Sequence, residues 1–346
     1  MSKPKVLITG ISGYIGSHVC KTFLEHGGFT VRGTVRNKSN PKKIEPLQKG
    51  FGDELFSKLD IVEADLTNAE SIDKAVEGCQ YIVHTAAPVF DFTKVLDNED
   101  EILKLNEEGT LAVMRAAQKH KVKKVIITSS IAAIVGGNNK TTYTEDDWSN
   151  LEVEGVSTYF KAKTMGEKAA WDFVDALPEN EKFAVATINP SIVLGPNITT
   201  AFSESIDFGK QMLMGEIPMC PKKDIAFVDV RDVSKAHLEA VLHDDANGKR
   251  FILCAENVML FDLVKAMEEK FGDKYPVKAK ELPWIVPFIM RLWDKQMTEL
   301  YDQWGKVTVF DGSRATEVLG IEYIGYQKSV QDMGEALIET GYVEKK

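Results

Sequence analysis

Cysteine is scarce in this chain of 346 residues: there are four, Cys20, Cys79, Cys220 and Cys254, and no two are close in sequence. That spacing excludes a Cys-x-x-Cys redox pair and a metal knuckle. It fits reduced thiols in a reducing compartment. The six histidines contain no His-x-x-x-His pair, so no catalytic metal is expected. Long apolar runs are missing as well. A membrane-spanning helix needs about 18 or more apolar residues, and the nearest segment, LPWIVPFIMRLW (282–293), is too short and broken by prolines. It reads as a core or lid segment. Basic charge is in deficit, with 42 Lys and Arg against 52 Asp and Glu for a net charge of −10, the opposite of a nucleic-acid binder's footprint. The basic run KHKVKK (119–124) marks a helix end and loop. No basic-then-apolar leader precedes the first strand-like run in MSKPKVLITG, so a cytoplasmic location is the expectation. No internal repeat or low-complexity tract is present.

What is present is alternation. Short β-branched runs at 5–9, 30–35, 58–64, 80–86, 123–130 and 183–189 alternate with helical patterns at 14–26, about 68–78, 100–119 and 157–177. Strands interleaved with helices predict crossover units and a parallel sheet. Their continuous apolar runs predict helices on both faces. The fold class is therefore α/β, a doubly wound parallel sheet of Rossmann type. From about Pro190 the pattern loosens, although IAFVDV (225–230) and KRFILC (249–254) still read as strands. The expected organisation is a nucleotide-binding domain over 1–190, with 225–256 returning to it. A smaller, mostly helical substrate lobe is expected from 191–224 and 257–346.

ITGISGYIGSH (8–18) follows the first strand and opens the first helix, with Gly10, Gly13 and Gly16 spaced Gly-x-x-Gly-x-x-Gly. Glycine permits a tight turn and lets backbone N–H groups approach a phosphate. The helix N-terminus adds partial positive charge. Ser12, Tyr14 and Ile15 lie in the same loop. Where an NAD-binding chain usually places an acid, at the end of the second strand, this chain has GTVRNKSNPKK (33–43), without one. Arg36 and Lys43 are suited there to a 2′-phosphate, so NADP(H) is the expected cofactor. Asp65 in EADLTN either accepts from an adenine amino group, with Leu66 beside the ring, or caps the next helix. Thr85, Ala86 and Ala87 in HTAAPV leave room at the strand tips, where open α/β sheets bind ligands.

YFKAK (159–163) places a phenol and an ammonium one helical turn apart. An unperturbed tyrosine, with a pKa of about 10, is a poor proton donor at neutral pH, and a nearby cation favours the phenolate. Tyr159 and Lys163 share one helix face and meet the geometry for a tuned acid. Ser129 and Ser130 stand at a strand end, where a hydroxyl can donate to a carbonyl oxygen on which charge grows.

With TGISGYIGSH, VRGTVRN, ADL, HTAAPV, NEEGT, TSSIAA, YFKAK, GEKAAW, NPSIVLGP and FVDVRDV in one order, nearly the whole chain resembles the short-chain dehydrogenase/reductase superfamily, extended branch. Within it the chain is similar to the group containing dihydroflavonol reductase, cinnamoyl-CoA reductase and the yeast methylglyoxal/aldehyde reductases. The resemblance implies Ser130 as catalytic serine, Tyr159 as general acid, Lys163 as its tuning lysine and Asn106 as an active-site asparagine. It implies Arg36 and Lys43 on the 2′-phosphate, and Pro190, Ser191 and Val193 along the nicotinamide. Asp229 and Asp232 match a structural motif. Two departures point away from the plant enzymes. Val135 stands where dihydroflavonol reductases carry asparagine, and VSTYFKAK lacks the long Cys- and Tyr-containing signature of cinnamoyl-CoA reductases. TSSIAAI is nearer the yeast-type aldehyde and ketone reductases.

The function expected is NADPH-dependent reduction of an aldehyde or ketone. A small-molecule carbonyl or alcohol is the expected partner, with no nucleic acid or membrane, in a monomer or homodimer. Val89, Phe90, Ile131, Ile198, Thr199, Phe208 and Met212 are candidates for an apolar substrate pocket. Alternatives are a nucleotide-sugar epimerase or dehydratase, a hydroxysteroid-type dehydrogenase, and a non-enzymatic NADP-binding redox sensor.

Overall fold

The computed structural model describes residues 3–87 and 99–346. Successive residues of the first strand, β1 (Lys5–Thr9), point to opposite faces, and both faces are buried: Val6 and Ile8 enter one apolar cluster, Leu7 another. A strand covered on both sides belongs inside a parallel sheet with helices above and below. Among the described residues that sheet comprises β1, β2 (Thr30–Val35), β3 (Leu59–Glu63), β4 (Tyr81–His84), β5 (Lys124–Thr128), β7 (Ala184–Pro190) and β10 (Lys249–Leu253). Its order is β3-β2-β1-β4-β5-β7-β10, with every pairing parallel. The order reverses between β1 and β4, and ligands of open α/β sheets bind outside the strand tips at such a switch point.

Helix α1 (Tyr14–His26) packs beside α9 (Val230–Leu242) on one face. On the other lie α4 (Ala69–Val76), α5 (Glu99–Lys119) and α7 (Thr158–Asp175), with α5 packed along α7. Helix α5 carries Glu99, Asp100 and Glu101 in its first turn and Lys119 in its last, the charge order that the helix dipole favours. Its Val113, Met114 and Ala117 meet Ala170 and Val174 of α7 in the buried layer. Helices α2 (Pro41–Phe51) and α3 (Asp53–Phe56) fill the β2–β3 connection, where the expected pattern has no helix. Proline at N1 and the Asn40 side chain, which accepts from Lys42 N–H at 3.1 Å, start α2.

The two late strands part company. β10 returns to the edge of the main sheet, but β9 (Asp224–Asp229) does not join it. β9 lies between β8 (Ile192–Leu194) and β11 (Glu256–Met259) in a separate three-stranded sheet. β6 (Thr142–Tyr143) and β12 (Val309–Phe310) form a short pair. Helices α8 (Glu204–Leu213), α10 (Leu260–Phe271) and α14 (Tyr326–Glu339) pack together beside the small sheet. Pro190 marks no break between cores. Ile188 of the main sheet, Val193 and Leu194 of the small sheet, and Met212, Leu263 and Met333 of the helices belong to one buried cluster. A fully buried phenylalanine such as Phe23, Phe227 or Phe251 contributes on the order of 2–3 kcal/mol to such a core.

The remaining α-helices among the described residues are α6 (Ala132–Val135), α11 (Ile285–Met290), α12 (Lys295–Asp302) and α13 (Ser313–Leu319). The apolar segment 282–293 is not core. It forms the short α11, with Trp284, Leu292 and Trp293 exposed at 55%, 75% and 69%. No described helix is long and apolar enough to cross a membrane. The cysteines are free thiols: Cys20, Cys79 and Cys220 are buried and Cys254 is half-buried.

Candidate functional site

The glycine loop lies at the switch point. Gly10 has φ +71°, and a Cβ added there would stand 3.0 Å from the Ala86 Cα at the end of β4. A Cβ on Gly16 would stand 2.3 Å from the Gly10 carbonyl oxygen and 2.7 Å from Thr85 Oγ1. Only a bare backbone lets helix and loop come this close. Gly10 N–H donates to Thr34 Oγ1 at 3.0 Å and Ile11 N–H to the Thr34 carbonyl at 3.1 Å, tying the loop to β2. Gly13 precedes α1 with no side-chain cap. The helix therefore presents its first-turn N–H groups without a built-in acceptor side chain, an arrangement suited to an anion. Ser12 and Ile15 are half-buried at this turn. Tyr14 is different. Its side chain is buried and its hydroxyl donates to the Gly195 carbonyl at 2.7 Å, so its backbone alone can serve a nucleotide.

Arg36 is exposed at the end of β2, and Lys43 sits in the first turn of α2, which carries no acid. The Asp65 carboxyl is held below its ordinary range, first by Thr67 N–H donating to Oδ1 at 2.9 Å, then by Thr67 Oγ–H at 2.7 Å, with Arg36 adding to the effect. Asp65 is not the cap of α4. Asn68 takes that role, accepting from Ser71 N–H at 3.1 Å.

Across the switch point, α7 aligns Tyr159 and Lys163 on one face, with the Lys163 Nζ 6.0 Å from the centre of the Tyr159 ring. Lys163 and Asn106 of α5 line one cavity together with Leu66, His84, Ala86 and Ala87. Ser130, just past β5, is 9% exposed, and its Oγ accepts from Ala132 N–H at 3.1 Å. That contact uses a lone pair and leaves the hydroxyl hydrogen to donate. Helix α6, which begins two residues later, packs against α7. Thr85 Oγ–H donates to the Thr9 carbonyl at 2.5 Å, and Ala86 N–H donates to Thr9 Oγ1 at 3.0 Å. The Pro190 carbonyl accepts from Ile131 N–H at 3.1 Å, which places the end of β7 beside the Ser130 tip. Ser191 and Val193 are both 6% exposed, and Val193 is turned into the core.

The structure redistributes the proposed substrate residues. Val89 and Phe90 lie outside the described residues. Ile131 is half-buried beside Ser130. Thr199 is 3% exposed and donates to the Ser12 carbonyl at 3.2 Å, so it braces the glycine loop. Ile198 packs on α2, where a Cβ on Gly50 would meet its Cγ2 at 2.3 Å. Met212 is 1% exposed in the core, and Phe208 is half-buried against it. Their apolar spacing on α8 serves packing between α8, α10 and α14.

Two features escaped the sequence reading. His84 is 3% exposed with Nδ1 2.9 Å from Thr9 Oγ1. Burial, and secondarily Lys163, lowers its pKa to about 4. The other is a buried ion pair between Glu167 of α7 and Arg250 of β10. Glu167 follows Lys163 at the same four-residue step that separates Lys163 from Tyr159, and Arg250 is a charge inside an apolar strand. Both signals were visible.

The chain belongs to the NAD dependent epimerase/dehydratase family, whose model matches residues 6–254. It is similar to the bifunctional dihydroflavonol 4-reductase/flavanone 4-reductase of Pyrus communis, 34% identical over 284 residues that cover 80% of this chain and 79% of that protein. It is also similar to tetraketide alpha-pyrone reductase 1 of Arabidopsis thaliana, 31% identical over 350 residues, 99% of this chain and 98% of that one. Among solved structures, Gre2 of Candida albicans in complex with NADPH superposes with a TM-score of 0.78 at 29% identity, covering 97% of this chain and 99% of that chain.

Proposed function

We propose that this protein is an NADPH-dependent carbonyl reductase in which Tyr159 is the general acid. The chain is an NADP-dependent oxidoreductase, and its similarity to reductases supports carbonyl reduction as the reaction. The residues present fit the dinucleotide: the close glycine turn and uncapped α1 suit the pyrophosphate, and Arg36 and Lys43 suit a 2′-phosphate. A nucleotide-sugar epimerase of the NAD type would have an acid where Arg36 stands.

The observation that carries the reading is the alignment of Tyr159 and Lys163 on one face of α7, with Lys163 sharing a cavity with Asn106, Ala86 and Ala87. Bound NADPH supplies the hydride. Ser130 donates to the carbonyl oxygen and stabilises the negative charge that grows there. Tyr159 hands its phenolic proton to that oxygen, with the Lys163 ammonium one turn away on the same face of α7. Lys163 has three donors and can also hold ribose hydroxyls.

The test is a panel of small α-keto aldehydes and aromatic ketones assayed with NADPH. Tyr159→Phe is expected to lose at least about 100-fold in kcat, the scale of general acid catalysis, while NADPH still binds. Wild-type turnover by Tyr159→Phe would overturn the assignment.

A further inference from the structure

Glu167 is 2% exposed, yet its carboxylate is surrounded by donors from α7, β7, β10 and the residue just past β5. Oε1 accepts from Arg250 Nε at 2.7 Å, Thr187 Oγ at 2.8 Å and Trp171 Nε1 at 3.5 Å. Oε2 accepts from Ser129 Oγ at 2.5 Å, Asn189 Nδ2 at 2.7 Å and Arg250 Nη2 at 3.4 Å. Asn189 Nδ2 also donates to the Ser130 carbonyl at 3.3 Å. Arg250 is itself fixed. Its Nη1 donates to the carbonyls of Glu145 and Asp147 at 2.7 and 2.5 Å, and its guanidinium lies 3.7 Å from the centre of the Trp148 ring.

A buried ion pair is a poor device for stability, because well-packed apolar side chains of similar volume do as well or better. What charge adds is geometry: a carboxylate with six donors admits one arrangement of the chains that supply them. Those chains are the α7 helix of Tyr159 and Lys163, the β5 end that leads into Ser130, the β7 end and the β10 edge. Glu167 is also one α7 turn beyond Lys163 and lines the same cavity.

We propose that Glu167 and Arg250 are a positioning pair that sets the height of Ser130 against Tyr159 and Lys163. The inference rests on the reductase reading above for its kinetic consequence. Neither side chain touches the substrate in this scheme. Both act through Ser129, Asn189 and the register of α7.

The experiment compares Glu167→Gln, Arg250→Lys and Ser129→Ala with Val174→Ala, a core change on the same helix outside the network. Each is made in the full chain. Steady-state kinetics, NADPH titration by nucleotide fluorescence, Tm and amide hydrogen exchange over residues 128–134 are measured. Glu167→Gln and Arg250→Lys are expected to lower kcat at least tenfold, with KM and the NADPH Kd within about threefold of wild type. Exchange over 128–134 should rise at least tenfold. Val174→Ala should lower Tm while kcat and that exchange stay within about twofold. A Glu167→Gln kcat within twofold of wild type overturns the pair, as does a kcat loss matched by equal loss of NADPH affinity. Should Glu167→Gln not fold, Ser129→Ala decides by the same criteria, since it removes a single donor. A wild type that reduces no carbonyl defeats the reductase reading, and the exchange result then decides the pair without turnover.

Discussion

At the scale of single residues, the groupings readable from sequence are those between near neighbours. Tyr159 and Lys163 are one turn apart, and Gly10, Gly13 and Gly16 act within one loop, so spacing alone placed them. Arg36 is the sharpest residue-level test. It is exposed, near Asp65, at the position where an acid would select a ribose hydroxyl. Arg36→Asp is expected to lower the NADPH/NADH ratio of kcat/KM by at least tenfold, measured with both cofactors on one substrate. An unchanged ratio would remove Arg36 from cofactor selection. Glu167 and Arg250 were harder to pair because 83 positions separate them. Arg250 stands out as a charge in an apolar strand, but nothing in the sequence names Glu167 as its partner. Thr199 and Met212 misled for the related reason that a small polar or apolar residue carries no mark of which surface it faces.

At the scale of elements, existence and type were legible and partnership was not. The periodicities placed β1, α1, β2 and α7 to within two residues, since burial on one face or two leaves its mark in the pattern. β9 and β10 have the same apolar look, yet one enters the small sheet and the other the main one. Only contacts made by the finished fold decide that. One element boundary has an unexpected support. Lys124 at the start of β5 is 3% exposed, and its ammonium donates to the carbonyls of Ala240, Val241 and His243 at 3.1, 3.3 and 2.8 Å. It closes the C-terminal end of α9, where unsatisfied carbonyls and the helix dipole favour a cation. Lys124→Met keeps the stem and strips those donors. It should cost about 2 kcal/mol or more and lower Tm by several degrees, read by calorimetry. An unchanged Tm would mean that water replaces the ammonium.

At the scale of the whole molecule, buried titratable groups set the acid limit of the fold. His18, His84 and His237 are held neutral, with burial as the first cause and pKa values lowered from 6.5 to about 4. The unfolded chain takes up these protons near pH 6.5 and the fold refuses them until about pH 4, so stability falls as pH drops through that window. Asp232 works in the opposite sense. Burial raises its pKa from 3.8 to about 6, so its contribution fades as pH rises from about 3.8 to 6. Three histidines outweigh one aspartate. The urea midpoint at pH 5 is therefore expected to lie clearly below that at pH 7, and equal midpoints would contradict the buried neutral histidines.

The placement of β10 governs how the molecule comes into being. The main sheet gains its last strand only after the chain has gone out through residues 191–248 and come back. A nascent polypeptide that has reached Pro190 already contains the serine, the tyrosine and the lysine, but β7 is an open edge and the Glu167 carboxylate has no guanidinium opposite it. Such a species is primed to associate through that edge, and its Glu167 lacks the two guanidinium donors that Arg250 supplies in the complete fold. The buried Glu167–Arg250 pair thus forms late in synthesis, with the strand that closes the edge of the sheet.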